Sequence, residues 1–214
     1  MKNTDVRFWD LLEEFSITIP SIQRDYVQGS RAKQVIAART TLLDDLAAAC
    51  KSGKPMNLNF IYGEVQDSGQ NRVFLPLDGQ QRLTTLFLLH WYATVWSKDS
   101  AATETEALLG MLGKFSYETR VTSTEFFKRI TDIEKVNTLD PSGAPSSQIR
   151  NKSWFRPQWE FDPTVKSALL MLDEIHLRFA EVPGLLATLV SQKSPIRFEW
   201  LDIDGIGNAS DLYI

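Results

Sequence analysis

Cysteine occurs once in this chain, at Cys50, and histidine only twice, at His90 and His176. A single thiol excludes an internal disulfide framework and a thiolate metal site. Two histidines far apart in sequence do not make a His-rich zinc site. Cys50 closes the apolar run Leu46-Ala47-Ala48-Ala49-Cys50, where a buried structural thiol is the expected role. A basic excess is also missing: 23 Lys and Arg stand against 27 Asp and Glu, a formal net charge of -4. Domains that coat nucleic acid are normally basic, so any such contact has to use a local patch or another domain. The longest apolar stretch, Leu83 to Trp96, is interrupted by Thr and His and is too short to span a bilayer. The opening residues, MKNTDVRFWD, lack the apolar core of a secretory signal. Both absences point to a cytoplasmic protein without a membrane partner, in which the sequons at Asn151 and Asn208 carry no meaning. The patterns GxxxxGK[ST], GxGxxG, HExxH and GxSxG are absent too, so any nucleotide chemistry must use a site of another kind.

Core-building residues are plentiful: 43% of the chain is hydrophobic, with twelve Phe and six Trp, enough for a sizeable core in 214 residues. Residues 5–15 repeat apolar positions at helical spacing (Val6, Trp9, Leu12, Phe15), which predicts an amphipathic helix. Ile17 to Pro20 predicts a short extended segment, and the polar stretch Gln23 to Arg31 a loop. Residues 31–51 read as a helix stopped by Gly53-Lys54-Pro55. Strands over 57–65 and 72–77 flank the turn Asp67-Ser68-Gly69-Gln70-Asn71, a hairpin pattern. A long apolar helix follows over 82–97, then helices over 103–113, 123–136, 163–181 and 183–192, with Asp140 to Ser147 as a loop. Residues 196–204 return to strand-like alternation. The pattern predicts an α+β fold: a small mixed sheet in residues 1–100, a mainly helical lobe over 101–195, and 196–214 beginning in a strand that returns to the sheet.

The strongest local signal is the junction Leu77 to Thr85, LDGQQRLTT, where a strand runs straight into a helix. A helix start carries unpaired backbone N–H groups and partial positive charge, which makes it a natural anion site. Gly79 lets the backbone approach a phosphate, and Arg82 offers a planar fork of donors to its oxygens. Gln80 and Gln81 add neutral donors, and Asp78 suits either a helix cap or a Mg²⁺ ion beside the phosphates. The plain alternative is Asp78 as an ordinary cap and Arg82 as a surface cation four residues on. The second signal is Gln23-Arg24-Asp25-Tyr26, right after a strand-like segment. Here Arg24 suits a second phosphate, Asp25 a metal or a water, and Tyr26 a stacked base; a surface loop with an Arg–Asp pair is the plain alternative. Phe115 to Arg129 offers Arg120, Lys128 and Arg129 to phosphate or to solvent, beside a buried face of Phe126, Phe127 and Ile130. Arg150 to Trp159 mixes cations with aromatics, a composition that suits base stacking as well as ordinary packing.

Two segments, IPSIQRDYVQG and FLPLDGQQRLTTLFLLHW, resemble in order and spacing the N-terminal domain of GmrSD-type restriction enzymes. FSYETRVTSTEFFKRI resembles a segment that follows in that family, so the likeness covers most of residues 9–136. The resemblance implies a core like that of ParB and sulfiredoxin, with Gly79-Gln80-Gln81-Arg82 as the phosphate-binding G-x-x-R turn. It implies nucleoside-triphosphate binding and hydrolysis, with Mg²⁺, that regulates or powers DNA cleavage against phage. On that reading Asp78, Gln81, Arg82 and Asp25 are catalytic; Gln23, Arg24, Tyr26, Gly79, Gln80 and Arg82 hold the nucleotide; Asp78 holds the metal. The implied partners are DNA, modified phage DNA included, a C-terminal or separate nuclease domain, and further copies of the chain. The family continues past the sequence equivalent to Asp211-Leu212-Tyr213-Ile214 with an Asn-x-Arg-Gly stretch, so the resemblance also implies residues beyond Ile214. A non-hydrolysing nucleotide sensor, a DNA-binding module and a direct DNA nickase are the alternatives.

Overall fold

The computed structural model describes residues 4–67, 69, 71–96 and 102–203. Its centre is a six-stranded mixed sheet, built from β1 (Thr4–Val6), β2 (Ser16–Ile19), β3 (Met56–Asp67), β4 (Arg72–Asp78), β5 (Phe115–Tyr117) and β6 (Ile196–Asp202), in the order β1-β6-β3-β4-β2-β5. β3 and β4 form the antiparallel hairpin predicted from their turn, with Glu64 opposite Leu75 and Gln66 opposite Val73. β2 lies parallel to both β4 and β5, and β6 runs parallel to β3 and antiparallel to β1. Ser68 and Gln70 of the turn, and the chain from residue 204 onward with Asp211 to Ile214, lie outside the described residues.

Helices α1 (Phe8–Glu14), α2 (Lys33–Ser52), α3 (Gln80–Trp96), α4 (Ala102–Leu112), α5 (Val121–Ile130), α6 (Ile133–Val136), α7 (Pro145–Arg150), α8 (Pro163–Phe179) and α9 (Leu185–Val190) complete the described structure, with a 3-10 turn over Pro157–Phe161. The fold class is α+β. α3 is buried on every side, mostly through apolar residues, as befits a helix enclosed by the core. Only Arg82 and Val95 among its residues escape full burial. It packs against α1, α4, α8 and α9.

Several boundaries differ from the sequence reading, for local reasons. Thr4–Val6 is a strand on β6, not the start of a helix. α1 starts only after Arg7, whose backbone N–H donates to the Asp10 carboxylate at 2.8 Å and whose buried guanidinium also reaches the Val190 carbonyl. The helix predicted over 123–136 breaks at Thr131-Asp132, where the Asp132 carboxylate accepts the Glu134 N–H at 3.0 Å and caps a new short helix. Pro145, read as loop, occupies the first turn of α7, the one helical place that needs no proline N–H. β5 was hidden because a three-residue edge strand has almost no periodicity.

Candidate functional site

The strand-to-helix junction opens onto a cleft of about 660 Å³. Ile22, Gln23 and Arg24 form one wall and Leu77 to Arg82 the other. Gly79 makes the junction possible. Its φ is +88°, and a Cβ there would sit 2.7 Å from Cγ1 of the buried Ile61. The Leu83 N–H donates to the Gly79 carbonyl at 2.9 Å, so Gly79, not Asp78, flanks the helix, and the first-turn N–H groups after it have no partner within the helix.

Arg82 is aimed by two acceptors. One Nη donates to the Asp78 carboxylate at 2.9 Å and the other to the Leu58 carbonyl. That carbonyl is presented by a bulge in β3, where Asn59 has φ +62° and its N–H is held by the Asn57 side chain at 2.7 Å. The Arg82 side chain also borders a shallow hollow between α2 and β3. Arg24 is exposed at the opposite wall and forms no ion pair among the described residues. Gln23 reaches across and donates to the Leu77 carbonyl at 3.1 Å.

The rest of the signature faces inward. Gln81 is 8% exposed, and both ends of its amide are occupied: it donates to the Asp25 carbonyl and accepts the Val27 N–H, each at 3.0 Å. Gln80 lies beside the Arg24 carbonyl with its amide nitrogen 3.5 Å away. Thr84 meets the Tyr117 hydroxyl at 2.6 Å, and Thr85 meets the Tyr26 hydroxyl at 2.9 Å and the Gln28 amide oxygen at 2.6 Å. Burial pushes both phenols well above their ordinary pKa, so they stay neutral struts. Tyr26 is fully buried and presents no ring face to the cleft.

Asp25 turns away from the cleft. Arg120 forms an ion pair with its carboxylate, 2.8 Å from one oxygen and hydrogen-bonded to the other at 3.1 Å, and the Thr164 hydroxyl donates to it at 3.3 Å. Arg120 also lies 4.0 Å from the buried Asp162, which accepts from Thr122, Ser123 and the first N–H groups of α8. Arg120, Asp162 and Thr164 therefore belong to the site's support, and only Arg120 stood out in the sequence. Asp162-Pro163 reads locally as a helix start, but its contact with α5 comes from tertiary packing. Lys128 and Arg129 lie away from the cleft, beside another hollow with Arg156, and Trp159 is core packing with no exposed surface.

Together, Gln23, Arg24, Asp78, Gly79, Gln80, Gln81 and Arg82 gather at one cleft, while Asp25 and Tyr26 anchor its loop from behind. Among the described residues no group of three or more His, Cys, Asp or Glu forms a metal site, and no helix is long and apolar enough to cross a membrane. No curated protein and no solved structure matches the chain. The family model described as "GmrSD restriction endonuclease, N-terminal domain" matches residues 8–213, nearly the whole length. The chain belongs to the family of GmrSD restriction endonuclease N-terminal domains.

Proposed function

We propose that the cleft binds a nucleoside triphosphate and that this binding regulates or powers DNA cleavage in the restriction system to which the family belongs. The observation that carries the reading is the meeting of Arg24, exposed and without an ion pair among the described residues, with Arg82, held by Asp78 and the Leu58 carbonyl, across an open cleft at the start of α3. Phosphate oxygens find backbone N–H groups, the helix's positive end and two guanidinium groups there. Asp78, half exposed, is the one carboxylate among the described residues that lines this cleft. A single carboxylate suits a Mg²⁺ ion that arrives with the phosphates, because such ions keep most of their ligands from phosphate and water. The ion would screen triphosphate charge; Asp78 would orient it, and Arg82 and Arg24 would hold the phosphate chain. The nuclease partner and the DNA substrate belong to the same proposal.

A second reading keeps the nucleotide but not its hydrolysis. It rests on the shortage of a free base: Asp78 is paired with Arg82, and Asp25 is saturated by Arg120 and Thr164. Phosphate release during incubation with ATP, GTP, CTP or UTP and Mg²⁺ separates the two. Turnover lost in Asp78→Asn supports the hydrolase; tight binding without release supports the sensor; no binding of any nucleotide removes both.

A further inference from the structure

On the other side of the same loop lies a second groove, of about 530 Å³. Its walls are Gly29 to Arg31 of the loop, Arg150 at the end of α7, Glu160, and the face of α8 that carries Lys166 and Ser167. Loop and helix are in direct contact: a Cβ on Gly29 would fall 1.8 Å from the Ser167 carbonyl oxygen, so no other residue lets the chain pass so close. Arg39, 4% exposed, fixes the loop from behind by donating to the Gln28 and Ser30 carbonyls at 3.0 and 2.9 Å. The loop wall is thus held in place without any ligand.

Charge in the groove is unevenly satisfied. Arg150 is bonded to Glu160 at 2.6 Å, and Asp173 is occupied by the backbone N–H and hydroxyl of Ser146. Arg31 and Lys166 are exposed and form no ion pair among the described residues. The chain as a whole is acidic, with a formal net charge of -4, whereas the groove sets three cations, Arg31, Arg150 and Lys166, against two carboxylates, Glu160 and Asp173. Between the groove residues Glu160 and Pro163 in sequence, Phe161 ends the 3-10 turn with 82% of its surface exposed, the most exposed large hydrophobic side chain among the described residues. A ring left in water on the segment that supplies one wall of the groove suits a stacking platform next to a phosphate track.

We propose that this groove is a nucleic-acid site of the chain itself: Arg31 and Lys166 hold phosphates of a DNA strand, with Arg150 as a third contact, and Phe161 stacks on a base. Phosphate contacts set affinity and its dependence on salt, while the ring favours unpaired bases. The site is separate from the nucleotide cleft and does not rest on it.

The test is binding of a fluorescently labelled oligodeoxynucleotide, single-stranded and duplex, across a range of salt. Arg31→Ala/Lys166→Ala should weaken binding about tenfold and lower the slope of log affinity against log salt by about two. Phe161→Ala should weaken the single strand more than the duplex. All three positions are exposed, so the variants should fold, and nucleotide titrations on the same samples should match the unaltered chain. Unchanged affinity and salt slope in the double variant, or no oligonucleotide binding by the unaltered chain, overturns the proposal. Loss of DNA and nucleotide binding together also overturns it, because the effect is then not local to the groove.

Discussion

Gly79 shows what a single residue does for this site. Its positive φ turns β4 into α3 within one step, and its missing side chain is the space that Ile61 fills. Gly79→Ala should cost about 1–3 kcal/mol, since Ile61 is fully buried and has nowhere to move. Urea unfolding checks this; a variant as stable as the unaltered chain contradicts the strained turn. His90 makes the opposite kind of prediction, about charge. Burial drives its pKa down to about 4 from 6.5, against the opposing carbonyls of Leu86 and Leu189. The unfolded chain therefore binds a proton below pH 6.5 that the native state refuses until about pH 4. Stability from this residue is complete above pH 6.5 and is lost as pH falls toward 4, by about 3 kcal/mol at most. Unfolding free energies at several pH values should show this slope in the chain and a flatter one in His90→Leu.

At the scale of elements, the QRDY loop is the part most closely tied down. Gln81 clasps its backbone, Tyr26 is pinned to Thr85, and Asp25 is gripped by Arg120. Behind Arg120, Asp162 joins the start of α5 to the start of α8. Asp162→Ala removes a helix cap and leaves buried Ser123 without its acceptor, which should cost about 2–4 kcal/mol. That corresponds to a melting temperature lower by roughly 5–15 °C, read by calorimetry; a shift of a degree or less would mean that the cap is dispensable. The hairpin, the loop and the strand-to-helix junction were legible in the sequence because turn residues and periodicity are local signals. Arg120 with Asp25 and β5 with β2 were not, because each pairing joins positions nearly a hundred residues apart. The two Gln residues of the signature line the cleft, and their reach to the chain's own loop, Gln81 to the Asp25 carbonyl and Gln80 toward that of Arg24, is another tertiary contact that the local sequence does not show.

For the whole molecule, the order of strand-like and helical segments already pointed to an α+β chain with a small sheet and a mainly helical lobe, and the structure has that class, with α3 buried along almost its whole length. What composition hid was the distribution of charge. Acidic overall, the chain sets cations that form no ion pair among the described residues at both grooves beside one loop: Arg24 at the cleft before α3, Arg31 and Lys166 at the second groove. One polar loop, anchored to the core by buried Tyr26 and Arg39, thereby borders both proposed binding sites. The most direct test of the central claim is calorimetric titration of the chain with ATP, GTP, CTP and UTP in Mg²⁺, beside Arg82→Ala. The account predicts that at least one nucleotide binds and that the substitution weakens it tenfold or more, about 1.4 kcal/mol, with the thermal melt showing a folded variant. Binding that is unaltered in folded Arg82→Ala would contradict it and move the nucleotide away from the start of α3.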